Sequence, residues 1–258
     1  QSQGIFANLE IGWKSMLYLT LTGRNDWESQ LAFTDHSSFF YPSVGLSAVL
    51  TEMIKLPEFI SYAKIRGSYT SVASSFDRFL SNPGFEFLEQ SHQWSTSSTR
   101  PAVNLKPERT KSWEIGLNTK FWNDLSFDFT FYKSNTYNQT FQISQSSASG
   151  FSTAVVQSGN VQNYGIEMGI GYRHKFGDVE WNSNFTFTMN RNKIKELMEG
   201  AKDPETGELI ADEERRVATL GAAGYAPVII LRKDGGMGDI YVEKHLATDG
   251  NGNIKVDS

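Results

Sequence analysis

From Ser112 to Asn190 the chain alternates apolar and polar positions through four successive segments, joined by tight turns at one end and long polar loops at the other. That alternation predicts antiparallel strands whose two faces meet different surroundings, because successive strand side chains point to opposite sides. In Leu125–Tyr132, one face carries Leu125, Phe127, Phe129 and Phe131, and the other carries Ser126, Asp128, Thr130 and Tyr132. Trp181, Ser183, Phe185, Phe187 and Met189 repeat the pattern against Asn182, Asn184, Thr186, Thr188 and Asn190. A face built from Asn and Thr does not belong in a dry core.

Extended over the whole chain, the pattern predicts eight strands: Gly4 to Gly12, Met16 to Asp26, Phe40 to Leu50, Phe59 to Ser71, Arg109 to Phe121, Leu125 to Tyr137, Val155 to Phe176 and Val179 to Ile194. Short connectors at Gly12–Ser15, Thr51–Glu58, Trp122–Asp124 and Phe176–Asp178 alternate with long ones at Trp27–Phe39, Val72–Glu108, Asn138–Ala154 and after Lys195. Membrane barrels have this asymmetry of short turns and long loops. Soluble barrels and sandwiches also tolerate uneven loops.

The apolar rows are Ile5, Ala7, Leu9 and Ile11; Leu17, Leu19 and Leu21; Val44, Leu46 and Ala48; Trp113, Ile115 and Leu117; and Ile166, Met168, Ile170 and Tyr172. The opposite rows carry Asn8 and Glu10; Thr20, Thr22, Arg24 and Asp26; Lys64 and Arg66; Glu114, Asn118 and Lys120; and Glu167 with Arg173. A narrow closed barrel would bury those charges at a cost on the order of several kcal/mol each. A wide, wet or plugged lumen avoids that cost. Trp13, Tyr18, Phe121, Trp122, Phe176 and Trp181 gather near the short turns, as an interfacial aromatic girdle would in a membrane barrel and as core caps would in a soluble one.

Composition narrows the function. Net charge is -5 and the basic residues are scattered, which argues against a nucleic-acid partner. With no cysteine, disulfides and thiolate metal sites are excluded. No apolar run reaches the roughly 18 residues of a membrane helix, but a spanning strand needs only about 9 to 11 residues with alternate ones apolar. The chain opens Gln1-Ser-Gln-Gly without a start methionine or signal peptide and ends in a loop, so it reads as a stretch of a longer protein.

Candidate chemistry is sparse. Glu108 and Glu114 share a strand face but stand about 20 Å apart at the strand rise, whereas paired glycosidase carboxylates need about 5 to 9.5 Å. Ion pairing of these glutamates with Lys64, Arg66 or Arg24 is the better reading. Asp249–Asp257 echoes the first ligands of a calcium loop but has Ile254 where the sharp-turn glycine is required, and reads as a polar turn. His36, His92, His174 and His245 show no ligand spacing, so neither a metal nor a cofactor is implied. Phe85, Phe87 and Trp94 lie in the Val72–Glu108 loop beside Gln90 and Gln93; they either stack on cargo such as sugar rings or anchor the loop.

Several strings resemble the C-terminal half of the SusC/RagA family of TonB-dependent outer-membrane transporters of Bacteroidetes. Leu105-Lys-Pro-Glu-Arg-Thr-Lys-Ser-Trp-Glu-Ile-Gly-Leu117 is similar to the family's L-x-P-E-x-T-x-S-x-E-x-G strand start, and Gly159-Asn-Val-Gln-Asn-Tyr-Gly-Ile-Glu167 to its G-N-x-x-N-x-G-I-E strand. Leu21–Trp27, Phe40–Leu46 and Tyr62–Tyr69 resemble further wall signatures in the family's order, and Gly238–Tyr241 with Asp249–Asp257 resembles a long extracellular loop. Thr70–Ser74 departs from the glycine-rich stretch common at that point, and the family's plug domain, TonB box and terminal strands have no counterpart in the chain.

The resemblance implies an all-β fold: part of an antiparallel, up-and-down transmembrane β-barrel of about 22 strands, with these eight in residues 1–195 and an extracellular loop region in 196–258 that includes a short helix near Ala211 to Leu220. It implies an outer-membrane importer, not an enzyme. Cargo would be oligosaccharides or peptides, with a SusD-like surface lipoprotein as partner, TonB as energy source and the bilayer around the wall. Site residues on that reading are a lumen-facing polar network of Arg24, Asp26, Lys64, Arg66, Glu114 and Glu167, and cargo contacts at Phe85, Phe87 and Trp94. Two other readings compete: an autonomous eight-stranded outer-membrane or secreted barrel that binds a ligand or adheres, and a β-rich glycoside hydrolase.

Overall fold

The computed structural model describes residues 1–31, 37–75, 80, 85–102, 105–144, 147–204, 206–210, 214–219 and 227–242. In chain order the elements are β1 (Ser2–Trp13), β2 (Leu17–Glu28), β3 (Ser38–Val49), α1 (Leu50–Met53), β4 (Ile60–Ser74), β5 (Glu86–Leu88), β6 (Gln93–Ser95) and β7 (Thr99–Arg100). They continue with β8 (Glu108–Phe121), β9 (Leu125–Ser144), β10 (Thr153–Phe176), β11 (Val179–Glu196), β12 (Glu214–Thr219), β13 (Val228–Arg232) and β14 (Ile240–Tyr241).

All eight expected strands form one antiparallel meander in the order β1-β2-β3-β4-β8-β9-β10-β11, and the short β7 pairs with the head of β10. The tight turns explain how the hairpins close. Lys14 and Ser15 both have positive φ, as do Trp122 and Asn123, which are the backbone angles that match strand twist in two-residue loops. Gly177 opens the third turn at φ 60.

Register lines up the alternation across the sheet. One hydrogen-bonded row runs Ile11, Leu19, Leu46, Gly67, Ile115, Phe131, Ile166 and Met189. The next row down joins Trp13, Leu17, Ala48, Ile65, Leu117, Phe129, Met168 and Phe187. The result is a continuous apolar face, with Leu46, Ile115 and Phe185 each more than half exposed. An apolar face that large requires a partner phase.

The rows also climb. Trp13 ends β1, yet the same row meets β11 at Phe187, eight residues above Val179 where that strand begins. Eight residues at about 3.3 Å, over seven strand spacings of about 4.8 Å, give a strand tilt of about 38°.

Buried residues collect at the loop end. One cluster joins Leu31, Phe39, Ala73, Ala102, Leu105 and Val155; the other joins Ala154, Val156, Val161, Ile194, Leu197, Met198, Ala201 and Leu231. Against the second lies Gly159, at φ 92, where an added Cβ would meet Leu197 O at 3.1 Å and the Phe141 ring at 3.2 Å. Gly159→Ala is therefore expected to lower stability by about 1–3 kcal/mol, read as an earlier urea midpoint of the full-length protein folded into lipid vesicles.

One expectation is corrected. Residues 214–219, inside the helix expected near Ala211 to Leu220, form strand β12, which pairs with β13 and through it with β14 in a separate three-stranded sheet. Pairing with the aliphatic run Val228-Ile-Ile-Leu231 overrides a weak local helix propensity. The Asp249–Asp257 loop lies outside the described residues.

Candidate functional site

The polar face of the sheet is organised around Arg66. Its Nη2 donates to Thr130 Oγ1 at 2.7 Å, its Nη1 to Asn118 Oδ1 at 2.9 Å and its Nε to Glu114 Oε1 at 3.3 Å, while Asp128 stands at 3.9 Å. One guanidinium thus ties β4 to β8 and β9. It lies flat because Gly116 is opposite: a Cβ there would come within 2.6 Å of Arg66 Cζ. At Gly165 a Cβ would run into the Met189 carbonyl and into the Tyr132 hydroxyl, which crosses over the glycine to Asn190 Oδ1 at 3.1 Å.

These residues come from three separate strings. Arg66 belongs to Tyr62–Tyr69, Glu114 and Gly116 to Leu105–Leu117, and Gly165 and Glu167 to Gly159–Glu167. Glu167 sits opposite Thr130 and lines a cavity of about 500 Å³ with Arg66 and Glu114.

The other expected site residues fall elsewhere on the same face. Arg24 and Asp26 pair at 2.9 Å with Tyr41 donating to Asp26, which makes a second cluster near the loop end. Lys64 lies one row below Arg66, opposite Asn118. Glu108 stands at the head of β8, opposite Ser74 and away from Glu114. Alternation puts Asn118, Asp128, Thr130 and Tyr132 on the polar face but does not join them to the network, and Tyr41 is not singled out at all, because only cross-strand register shows which polar residue meets which.

Above the hub runs a row made entirely of small neutral polar residues: Asn8, Thr22, Ser43, Thr70, Ser112, Ser134, Asn163 and Asn192. Ser43 and Thr70 are in hydrogen-bond contact at 3.1 Å. At the upper edge of β11, Lys193 meets Asp234 at 2.9 Å, and its ammonium holds that carboxyl below its ordinary range.

The loop aromatics Phe87 and Trp94 face each other across the β5–β6 hairpin with ring centroids 5.2 Å apart, and His92 meets the edge of Phe87 at 6.4 Å. Trp94 is 68% exposed and Phe85 71%, so these rings are open to solvent.

On the apolar face, Trp13, Phe121, Trp122, Phe176 and Trp181 gather at the turn end, where Phe59 joins Phe121 and Trp122 within 6.2 Å. Tyr18 departs from this set. It lies on the polar face over Gly12, in the row of Ser47 and Arg66. A second aromatic set, Tyr69, Trp113 and Tyr164, heads the apolar face in one row with Lys133 and Arg191. Aromatic rings at both limits of an exposed apolar band are the girdles of a membrane barrel.

The family model described as "TonB dependent receptor-like, beta-barrel" matches residues 1–255. The chain belongs to that family. This TonB-dependent receptor barrel segment is 26% identical over 208 residues to TonB-dependent receptor P26 of Formosa agariphila, and 25% over 206 residues to TonB-dependent receptor P3 of the same organism. Each alignment covers 76% of the receptor segment and 21% or 20% of the relative, so the chain spans about a fifth of their length. In fold it is similar to the RagAB peptide importer in its open-open state, with a TM-score of 0.69 and 18% identity over 96% of this chain and 30% of that one. A second RagAB peptide transporter structure gives 0.66 and 20% identity, covering 88% of this chain and 27% of that one. The receptor is a β-barrel protein of the bacterial outer membrane, and its apolar face is the one that meets lipid.

Proposed function

We propose that the chain forms part of the wall and extracellular loops of a SusC-type, TonB-driven importer that takes up oligosaccharides or peptides with a SusD-like surface lipoprotein. The observation that carries this reading is the division of one eight-stranded meander into an apolar lipid-side face and an opposite face crossed by the Arg66 hub. A wall with a polar, hydrogen-bonding interior suits a wide lumen that holds a plug and passes hydrophilic cargo. The RagAB likeness supports the same architecture, and RagAB's description as a peptide importer favours peptides among the two cargo classes.

In this reading Arg24, Asp26, Lys64, Arg66, Glu114 and Glu167 face the plug and cargo. The loops after Val72 and Glu196 reach the cargo or the lipoprotein, and TonB acts on a part of the whole protein outside this chain. An autonomous eight-stranded barrel fits less well, because closure requires β1 to pair with β11 and these two strands are the ends of the sheet.

The test is a strain lacking the gene, grown on single glycans or single peptides as sole nutrient. Loss of growth on one of them, restored by the gene only when TonB is present, is the expected result; unchanged growth and uptake across both panels would sink the proposal. With the cargo in hand, replacing Phe87 and Trp94 by Ala together is expected to weaken its binding about tenfold, ~1.4 kcal/mol, with an unchanged urea midpoint of the wall. Equal binding by the double variant would return these rings to a purely local role.

A further inference from the structure

We propose that the cavity at the head of β10 is a carboxylate-binding site that takes an acidic end of the cargo, a reading that rests on the importer function above. β10 outruns β11: their last pair is Asn160 with Glu196, and Thr153 to Gly159 continue beyond it. There β7 pairs with Thr153 and Ala154, and residues 100–102 and 105, with 200–202 and 204 of the following turn, line a cavity of about 480 Å³ against residues 154–157.

Its walls are pinned rather than loose. The Gln157 side chain accepts from Lys106 N and donates to Lys106 O, both at 2.6 Å, and Ser158 Oγ donates to Glu199 O at 3.0 Å. One wall uses Ala102, Leu105 and Val155 from the first buried cluster, and the other uses Ala154, Val156 and Ala201 from the second. The cavity is therefore a seam between two packed units.

Charge balance singles it out. The cavity at the Arg66 hub sets Arg66 against Glu114 and Glu167. The cavity beside β11 sets Arg191 and Lys193 against Asp234 and Asp239. The seam cavity holds Arg100 and Lys202, and no Asp or Glu is among its described lining residues. Among the described residues, neither cation is in an ion pair. In a chain of net charge -5, two cations with no acid among the described residues that line a recess with apolar walls form a local positive field. An Arg fork matches a carboxylate through two parallel hydrogen bonds, and the lysine adds a second positive charge. Aliphatic walls beside that pair accommodate the body of a short acidic segment. A peptide C-terminus and a uronic acid both carry this group.

The experiment is isothermal titration of the purified full-length receptor, wild type and Arg100→Gln/Lys202→Gln. The probes are two matched pairs: tetra-alanine with a free C-terminal carboxylate or as its amide, and tri-galacturonate or its methyl ester. At least one acid probe should bind wild type tenfold or more tightly than its neutral twin, lose that advantage in the double variant, and weaken as salt rises. Which pair responds names the source of the carboxylate. Arg191→Gln, from a charge-balanced cavity, should leave it unchanged, and heat-modifiable gel mobility checks that every variant is folded. Equal affinity for acid and neutral twins, no binding of either acid, or an advantage that survives the double substitution would each overturn the site. Equilibrium binding needs no energy source, so such a result alongside intact TonB-dependent growth overturns the carboxylate site alone.

Discussion

Phe185→Arg should keep the full-length receptor from accumulating in the outer membrane, whereas Thr186→Arg, one residue away, should leave its level unchanged. Phe185 is 58% exposed on the apolar face and pairs with Ile170. It stands six residues above Val179, about 16 Å above the turn end at the 3.3 Å rise and a 38° tilt. That height is close to the middle of a band about 25 Å tall. An arginine there costs about 2–4 kcal/mol, a large share of a typical folding free energy of about 5–15 kcal/mol. Thr186 points to the polar face opposite Gly169, where a guanidinium meets water and hydroxyls. The measurement is the folded fraction in purified outer membranes by heat-modifiable mobility. Equal loss from both substitutions would mean that the faces are misassigned.

Gly116→Val should destabilise the wall by about 2–3 kcal/mol, seen as an earlier urea midpoint in vesicles. A Cβ 2.6 Å from Arg66 Cζ forces the guanidinium off β8, and its hydrogen bonds to Glu114, Asn118 and Thr130 go with it. Thr130 is nearly buried and would lose its charged donor. The decisive comparison adds Arg66→Ala. Once the guanidinium is gone, the slot has nothing to exclude, so the double variant should cost clearly less than the sum of the single ones. Strict additivity would show that Gly116 acts through something other than Arg66.

Strand existence and facing were legible in the sequence, since period-two alternation in Leu125–Tyr132 and Trp181–Asn190 is a local property. Register was not. Arg66 and Thr130 are 64 residues apart, and nothing in either segment states that they meet. The family-like strings mark Glu114, Gly116 and Gly165 as letters of a motif, but the reason for those letters is cross-strand: Gly116 clears space for Arg66, and Gly165 for the Met189 carbonyl and Tyr132. Nearness to a turn in sequence groups Tyr18 with the turn aromatics, whereas parity with Leu17 and Leu19 puts it on the other face. The left-handed angles at Lys14, Ser15 and Trp122 were equally hidden, because these residue types seldom adopt them and the hairpin imposes them. Local sequence predicts helix where β12 forms for the related reason that its partner, β13, is a separate segment.

The climb of the hydrogen-bonded rows has a consequence for the neutral row from Asn8 to Asn192. It is no level belt but a screw thread on the polar face. At a tilt of about 38°, each step to the next strand raises the thread by about 3 Å. A body that exchanged one hydroxyl or amide for the next along it would have to turn as it rose, so rotation and axial travel within the lumen would share a single pitch.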